Sequence, residues 1–421
     1  MKTLHVVHGS PLIDASAGGT ERYVHAIAIQ TGDPVIAPDH KSRHTSQISS
    51  APYPLWSVGI SHDKKPIFKD TWSNPLFEAG LKEVLDHTAP DLVHIHHLAH
   101  VGLTITSILK QAGIPYIITL HDHHLLCVRG QLLNREMERC EGPSQERCPQ
   151  CVSEHLAASQ NLHRAAAVAN LLGVRRIARK FFEQRAPSQE LVNRWAERDE
   201  AAVETLTGAS RLLSPSLHLA KRFQDAGYSV TVQDLPLLTA IEQSPAPNTK
   251  ETKFLFVGSL IPSKGPHILL EAMGSLPDCS LILWGPVLPY DGQPNWQKQI
   301  VNLVNATPNA DYKGTFADEK RSSVYADAHV LVVPSIWEEN SPLIVREGVA
   351  AGLHVIGTLG GGVGEIDPCA TLVPPNDSRA LSEAMRNISE LGKLRRTDKK
   401  EWPIEIHTQE LAVQYALATG T

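Results

Sequence analysis

The chain lacks any run of about 18 consecutive apolar residues, so we expect no membrane-spanning helix. The apolar stretch at its start is only a few residues long and is interrupted by His5 and His8, which makes it too short for a secretory signal. We therefore expect a cytoplasmic protein, either free or attached peripherally to the inner face of a membrane.

The chain also lacks an excess of positive charge. Its 39 Lys and Arg against 45 Asp and Glu give a formal net charge of −6. A general nucleic-acid-binding protein would be strongly basic, so we expect no nucleic-acid partner. Aromatic residues make up only 5% of the chain, but the apolar fraction of 42% is typical of globular proteins and excludes a disordered or fibrous chain.

Short β-branched runs alternate with helical patterns along nearly all 421 residues, which predicts an α/β protein with doubly wound parallel sheets. The alternation stops at Gln243–Lys253, a polar segment typical of an interdomain linker, and then restarts. We predict a first domain at residues 1–242 with an insertion at about 125–208, a second domain at 253–400, and a helix at 401–421 that could pack back on the first domain.

The predicted strands of the first half are Leu4–His8, Pro34–Ala37, Leu92–His96, Tyr116–Leu120 and Leu212–Ser214. Those of the second half are Phe254–Val257, Leu281–Trp284, Ala310–Lys313, Val330–Val333, His354–Ile356 and Thr371–Val373. The predicted helices include Gly19–Gln30, Glu78–His87, Thr104–Ala112 and Glu410–Ala418. Ligands of doubly wound sheets bind at the carboxyl ends of the strands, so two facing domains would form a cleft there.

Two loops follow the first strand of each predicted domain. Gly18 and Gly19 precede a helix that begins near Thr20, and the amide groups and dipole of a helix start suit a phosphate. A tight turn capped by Thr20 is the alternative. In the second domain, Lys264 stands at the mouth of a strand, where it could bind a phosphate as a point charge or remain a solvated turn residue.

The most informative element runs from Val333 to Glu347 and carries two glutamates, Glu339 and Glu347, with seven residues between them. Carboxylates accept two hydroxyl groups at once, which suits the vicinal diols of ribose or hexose. Two solvent-facing glutamates are the alternative. Further on, Gly360–Glu365 contains four glycines in five positions, which indicates either a backbone close to a ligand or helix, or a flexible turn.

These motifs resemble those of the retaining glycosyltransferases of family 4, which have the two-domain GT-B fold. The second half contains F-V-G-S-L-x-x-x-K-G, P-S-x-W-x-E-N-S-P-L-x-x-x-E, A-A-G-x-x-V-I and G-G-x-x-E in the family's order. The first half adds G-G-x-E, D-L-V-H-I-H-H and T-L-H-D. The resemblance implies a GT-B protein: two Rossmann-like domains facing across a cleft, here with a Cys-rich insertion in the first.

The resemblance also implies roles for particular residues. Lys264 would contact the diphosphate of the sugar donor, Glu347 would bind the ribose, and Glu339 would lie at the sugar. His121 would lie near the reacting anomeric carbon. The other residues implied in donor binding are Gly18, Gly19, Ser259, Asn340, Ser341, Pro342 and Leu343. No cofactor would be required for catalysis, because Lys264 and helix N-termini can carry the charge of the leaving group.

Two positions depart from the family pattern. Ser259 stands where the family often has Arg, so one diphosphate contact could be missing or supplied elsewhere. The chain has Ala351-Gly352-Leu353-His354 where Ala-Gly-x-Pro is common in the family, so His354 stands in place of the proline. These departures bear on donor preference and rate more than on the presence of activity.

Four of the six cysteines lie within 25 residues, and in a chain without an export signal this clustering favours metal over disulfides. Cys127, Cys140, Cys148 and Cys151 are predicted to hold a structural zinc ion. Reduced buried cysteines, a disulfide and an iron–sulfur centre are the alternatives. We expect the histidines at positions 94, 96 and 97 to be hydrogen-bonded core or cleft residues.

Two basic segments could contact anionic lipid. Leu171–Arg185 has the pattern of a basic amphipathic helix, although a lid helix with a solvated face is the preferred interpretation. A loop with Lys64, Lys65 and Lys69 beside Phe68 and Trp72 could meet a lipid-phosphate acceptor or be a plain surface loop.

The sequence therefore predicts a retaining hexosyltransferase of polysaccharide biosynthesis. It would move a hexose from a UDP-, GDP- or ADP-sugar to a hydroxyl of a glycan, lipid-linked or small-molecule acceptor. Two alternatives are a nucleotide-sugar epimerase on the same scaffold and an inactive scaffold that binds partners through its Cys-rich insertion.

Overall fold

Two mainly parallel β-sheets, each covered by helices on both faces, organise the chain. The computed structural model describes residues 1–13, 18–61, 68–134, 136–152, 187–290, 293–391 and 401–420. We call the first sheet with the helices packed on it the first lobe, and the second sheet with its helices the second lobe. Both have the Rossmann-like α/β architecture expected from the sequence.

The first sheet has, within the described residues, eight strands in the order β3-β4-β2-β1-β5-β6-β7-β8, and every neighbouring pair except β3 and β4 is parallel. Its strands are β1 Thr3–Val6, β2 Val35–Asp39, β3 Thr45–Ile48, β4 Leu55–Gly59, β5 Leu92–Ile95, β6 Tyr116–Thr119, β7 Arg211–Ser214 and β8 Thr231–Val232. Its helices are α1 Gly19–Thr31, α2 Pro75–Thr88, α3 Ile105–Gln111, α4 Gln189–Gly208 and α5 Leu217–Asp225.

The second sheet has, in the described part of the chain, six parallel strands in the order β11-β10-β9-β12-β13-β14. Its strands are β9 Thr252–Val257, β10 Cys279–Trp284, β11 Ala310–Tyr312, β12 Val330–Val333, β13 His354–Thr358 and β14 Thr371–Val373. The helices that follow in the chain are α6 Pro266–Met273, α7 Trp296–Asn305, α8 Arg321–Ala326, α9 Leu343–Ala350, α10 Val363–Ile366, α11 Ser378–Leu391 and α12 Ile404–Thr419.

Local sequence explains where these elements form. All four residues of β12 are apolar and buried, as expected for a central parallel strand covered on both faces. Helix α2 begins where the Asn74 side chain accepts a hydrogen bond from the Phe77 amide, with Pro75 at the first helical position. Helix α5 begins in the same way at Ser216, whose hydroxyl accepts from the Leu219 amide.

The last helix, α12, packs on the first lobe although it follows the second lobe in the chain. Its Leu411 and Tyr415 belong to the same apolar core as Tyr23 of α1. The His407 ring is 2.7 Å from the Tyr23 hydroxyl, and the Tyr415 hydroxyl is 2.8 Å from His94 of β5. The C-terminal helix therefore ties the end of the chain to the centre of the first sheet.

The predicted strands lie where the structure has strands, with ends that differ by one or two residues, but the pattern missed three. Strand β3 is a half-exposed Thr-Ser-Gln-Ile segment without an apolar run, and β8 is only two residues long. Short or polar edge strands leave little periodic signal, so sequence reasoning did not find β3 and β8. Strand β4 has five mostly buried residues and lies between β3 and β2, and the sequence analysis missed it as well.

Of the predicted lipid-contacting segments, Leu171–Arg185, Lys64 and Lys65 lie outside the described residues. Phe68 and Trp72 are each 4% exposed and belong to the core of the first lobe, so the aromatic part of that prediction is wrong. Within the described part of the chain, no helix is both long and apolar enough to cross a membrane.

Candidate functional site

The loops after β6 and β12 meet where the two lobes face each other. The Asn340 amide nitrogen donates to the backbone carbonyls of Leu120 and His121, at 3.2 and 3.0 Å. Its side-chain oxygen accepts from the Ser216 hydroxyl at 2.5 Å. Asn340 is buried and joins the second lobe to two loops of the first. The carboxyl ends of both sheets therefore border one cleft.

Two acidic residues of the second lobe hold helix α5 of the first. Glu365 accepts hydrogen bonds from the backbone amides of Leu217 and His218, at 2.6 and 2.7 Å, where a helix start favours negative charge. Glu338 accepts from the His218 ring at 2.9 Å and from Arg222 Nε at 3.0 Å. Burial raises the pKa of Glu338, but these hydrogen bonds outweigh it and lower the pKa to about 2.

Lys264 and Glu339 form an ion pair beside the cleft. Lys264 Nζ is 2.7 Å from Glu339 Oε1, and it lies 5.0 Å from the centre of the Trp337 ring. The same carboxylate oxygen accepts from the Ser335 hydroxyl at 2.5 Å and from the Trp337 indole at 2.8 Å. Glu339 is only 4% exposed, so this carboxylate is held by three donors in one orientation.

Glycine allows the backbone to pack closely around this pair. Gly265 has φ +69°, and a Cβ at this position would lie 2.0 Å from the Pro334 carbonyl. A Cβ at Gly361 would lie 2.7 Å from the Glu339 carbonyl, and one at Gly362 would lie 1.7 Å from the Asn340 carbonyl. The glycine-rich loop after β13 is therefore packed against the backbone of Glu339 and Asn340, and glycine is required for that contact.

Glu347 lies in a different network. Its carboxylate is 1% exposed, forms an ion pair with Arg321 at 3.1 Å and accepts from the Tyr325 hydroxyl at 2.5 Å. Arg22 of α1 reaches across from the first lobe, with Nη1 3.7 Å from Glu347 and Nη2 3.4 Å from Asp318. Burial, and then the negative charge of Glu347, raises the pKa of Tyr325.

The predicted loop residues of the first lobe approach the start of α9. The Gly18 amide donates to the Glu21 side chain at 3.0 Å, and a Cβ at Gly19 would lie 3.4 Å from Leu343 Cδ1. Just before α9, the Ser341 hydroxyl accepts from Arg346 at 2.8 Å. The first helix start therefore lies against the start of α9.

His121 ends a row of histidines that crosses the first sheet. Its Nε2 is 3.4 Å from His96 Nδ1, and His96 Nε2 is 2.9 Å from His5 Nδ1. His5 Nε2 is 3.7 Å from the Asp33 carboxylate. A consistent set of tautomers has each Nε2 carry the proton and each Nδ1 accept, which fixes the orientation of the His121 ring. Burial, and then His97, lowers the pKa of His121 to about 3.

Two neighbouring histidines outside this row, His94 and His97, are hydrogen-bonded within the lobe. His94 contacts the Tyr415 and Thr119 hydroxyls at 2.8 and 2.7 Å. His97 contacts Asp122 at 3.0 Å; burial lowers the pKa of His97, but Asp122 outweighs it and raises the pKa above its usual value. His94 and His97 are therefore hydrogen-bonded core or cleft residues, as the sequence analysis expected.

The four clustered cysteines, at positions 127, 140, 148 and 151, lie in the chain between β6 and α4. All four cysteines are half-buried, and burial, together with Cys127 and Cys140, raises the pKa of Cys148. Among the described residues, no three of these thiols come within 4.8 Å of one another; the group that does is His5, His94 and His96. The zinc site at Cys127, Cys140, Cys148 and Cys151 therefore stays a prediction.

Two family comparisons cover most of the chain. Residues 239–401 match the glycosyl transferases group 1 family, and residues 17–165 match glycosyltransferase family 4. The two matches fall on the second and the first lobe, in the order of a GT-B protein. Each lobe therefore contains a segment similar to a glycosyltransferase family.

Two curated relatives are glycosyltransferases by name. WcaL of Escherichia coli, provisionally named a colanic acid biosynthesis glycosyltransferase, is 27% identical over 33% of this chain. YtcC of Bacillus subtilis, provisionally named a glycosyltransferase, is 32% identical over 27% of this chain. These matches span only 36% of WcaL and 29% of YtcC.

Solved structures match this chain along nearly its whole length. Sucrose-phosphate synthase from Thermosynechococcus elongatus has a TM-score of 0.69 at 18% identity, with 99% of this chain and 98% of that chain covered. HepE of Anabaena in complex with UDP-glucose has a TM-score of 0.66 at 15% identity, with 99% of both chains covered. At these identities the likeness shows the GT-B fold.

The structure brings some of the predicted site residues together. Lys264 contacts Glu339, and Gly19 approaches Leu343. Glu339 and Glu347, predicted to face one ligand, have separate sets of partners in the described part of the chain. Sequence reasoning missed the residues that hold them, above all Arg321, Tyr325 and Arg139, because no local pattern marks a partner distant in sequence.

The buried histidines of the protein predict that it is less stable in acid. Burial lowers the pKa of His121 to about 3 and those of His123, His267 and His407 to about 4. The unfolded chain binds protons at these sites below about pH 6.5. The free energy of unfolding should therefore fall as pH falls from about 6.5 to about 4, by up to about 1.4 kcal/mol per pH unit for each group. Urea unfolding at pH 7.5 and 5.5 measures this, and equal stability would contradict it.

Proposed function

We propose that the protein is a retaining glycosyltransferase that moves a hexose from a nucleotide-diphosphate sugar to a hydroxyl of a glycan, lipid-linked or small-molecule acceptor. The observation that carries this proposal is the Lys264–Glu339 pair, which forms where the loop after β9 meets the loop after β12 in a GT-B cleft. The similarity of both lobes to glycosyltransferase families supports the reaction class. HepE, a protein of the same fold, was solved with UDP and with UDP-glucose, which supports a nucleotide sugar as the donor.

The pair suits a diphosphate sugar for two reasons. An ammonium group has three protons, so Lys264 can donate one to Glu339 and still offer others to a diphosphate. On Glu339, Oε1 takes all three of the contacts described above, from Lys264, Ser335 and Trp337. We propose that Oε2 accepts a sugar hydroxyl, and that the amides of Asn340–Leu343 and the Gly18–Gly19 loop face the phosphates or the sugar.

We propose that His121 lies beside the anomeric carbon as a neutral hydrogen-bonding group. Its pKa of about 3 makes it uncharged at neutral pH, so it is unsuited to donate a proton as imidazolium. In the transfer, the acceptor oxygen would bond to the anomeric carbon on the face from which the diphosphate oxygen leaves. The acceptor proton would pass to that leaving oxygen, and Lys264 would stabilise the charge on the diphosphate.

The biological pathway and the location of the protein are also proposals. The name of WcaL supports polysaccharide biosynthesis. A peripheral contact with an anionic membrane, a cytoplasmic location and a structural zinc in the Cys-rich insertion remain proposals that rest on the sequence patterns.

The proposed function is tested by calorimetry with UDP, GDP and ADP and their glucose or mannose conjugates. We expect one nucleotide, and the sugar conjugate of the same nucleotide, to bind with a Kd in the micromolar range, roughly 1–100 μM. Absence of binding by every nucleotide to folded protein would contradict the proposal and favour an inactive scaffold. Incubation of the bound conjugate without acceptor separates the epimerase, which would change the sugar while it remains attached to the nucleotide.

A further inference from the structure

Arg139 connects the Cys-rich insertion of the first lobe to the second lobe. Its guanidinium donates to three backbone carbonyls: Nε to Ile336 at 2.6 Å, Nη1 to Leu359 at 2.6 Å, and Nη2 to Trp337 at 3.2 Å. All three nitrogens of the guanidinium are therefore used in one contact. The planar, rigid fork of arginine is the side chain best suited to such a set of acceptors.

The three carbonyls belong to the two loops that build the Lys264–Glu339 site. Ile336 and Trp337 directly precede Glu338 and Glu339 in the loop after β12. Leu359 directly precedes the glycine-rich loop after β13, whose Gly362 amide donates to the Glu339 carbonyl at 2.7 Å. Arg139 therefore binds both loops at once and holds them against each other.

The contact with the glycine-rich loop is close. Gly360 has φ +75°, and a Cβ at this position would lie 2.5 Å from Arg139 Nη1. A residue with a side chain would therefore be strained in its backbone and would displace the guanidinium. Glycine is therefore required at position 360 for two reasons: its positive φ and the close approach of Arg139.

A small hairpin in the insertion presents Arg139. Arg139 pairs with Leu133 in an isolated antiparallel bridge, and the Cys140 amide donates to the Leu132 carbonyl at 2.7 Å. The turn is closed by Asn134, whose side chain accepts from the Glu138 amide at 2.8 Å. The insertion makes a second contact with the second lobe, where the Tyr290 hydroxyl donates to Gln131 at 3.0 Å.

We propose that Arg139 is a positioning residue of the sugar-donor site, and that the Cys-rich insertion serves to bring it to the second lobe. The inference rests on the proposed function. Arg139 acts through the Trp337 carbonyl and its neighbours, because the Trp337 indole is one of the three donors that hold Glu339. Without Arg139, the two loops lose their shared partner, and Glu339 is no longer fixed for the sugar.

The expected signature is a selective loss of affinity for the sugar part of the donor. For Arg139→Ala, we expect the Kd of UDP-glucose to rise by about tenfold and the Kd of UDP by less than about twofold, because Glu339 is proposed to contact the sugar. If the wild type binds guanine nucleotides instead, the probes are GDP-mannose and GDP. Arg139→Lys keeps the charge but lacks the fork, so its effect should be intermediate.

The matched control is Arg147→Ala, an exposed arginine of the same insertion, which should bind both probes as the wild type does. Equal Kd changes for UDP and UDP-glucose in both Arg139 variants, or no change in either, would overturn the inference. If Arg139→Ala does not fold, Arg139→Lys decides alone. Failure of the proposed function is distinguishable, because the wild type itself would then bind no nucleotide.

Discussion

Lys264→Ala is expected to lower kcat/KM for the nucleotide sugar by about 100- to 1,000-fold, the usual effect of removing one group that stabilises developing negative charge. The side chain is a quarter exposed, so it can face the cleft, and its ammonium is fixed by Glu339 and the Trp337 ring. A fixed cation needs no reorganisation when the diphosphate leaves. Initial rates at several donor concentrations give the effect on kcat and KM separately.

A control for Lys264→Ala must account for the Glu339 carboxylate, which remains in that variant. Lys264→Ala leaves Glu339 buried and without its cation, which by itself can distort the loop. The double variant Lys264→Ala with Glu339→Gln removes that charge, and Lys298→Ala removes an exposed lysine of the same lobe. A rate within about threefold of the wild type in Lys264→Ala would contradict a role in catalysis.

The sequence could predict those parts of the fold and site that leave a local pattern. Val330–Val333 is a continuous apolar run, and it forms the buried strand that was predicted. The loop after it was predicted to carry the site because polar residues follow a buried strand, and Glu339 and Lys264 do meet there. The half-exposed strand Thr45–Ile48 has no such pattern, so it was missed.

The sequence could not predict which distant residues hold the site in place. Arg139 lies 197 residues before Ile336, and nothing in its neighbourhood distinguishes it from Arg147. The same holds for the Asn340 side chain, which joins the lobes through the carbonyls of Leu120 and His121, a contact that its local sequence did not indicate. Such contacts depend on how the two sheets are placed relative to each other. Many weak packing interactions spread over the chain determine that placement, and no local sequence motif records it.

Glu347 shows why contacts between residues distant in sequence matter for the design of experiments. The resemblance implies a ribose ligand, which remains a proposal, whereas the structure gives the carboxylate buried protein partners, Arg321 and Tyr325. Arg22 adds an interlobe contact at 3.7 Å. A carboxylate in such a network contributes to the fold of the second lobe whether or not it also binds a ligand. Loss of nucleotide binding in Glu347→Ala would therefore be ambiguous.

Glu347→Ala is accordingly expected to lower the free energy of unfolding of the second lobe by about 3 kcal/mol, because it leaves the Arg321 guanidinium, 7% exposed, without its buried partner. Tyr325→Phe removes one hydrogen bond to the same carboxylate and should cost about 1 kcal/mol. Urea unfolding followed by tryptophan fluorescence measures both effects.

Glu319→Ala, on the exposed turn before Arg321, is the control and should unfold as the wild type does. A fully stable Glu347→Ala protein would show that the network with Arg321 contributes little. In that case a loss of nucleotide binding could be assigned to the ribose contact directly. If the variant is destabilised as expected, Glu347→Gln is the better probe of the ribose contact. It keeps one acceptor oxygen for Tyr325 or Arg321, so the fold is disturbed less, while the pair of carboxylate oxygens that would accept the two ribose hydroxyls is lost.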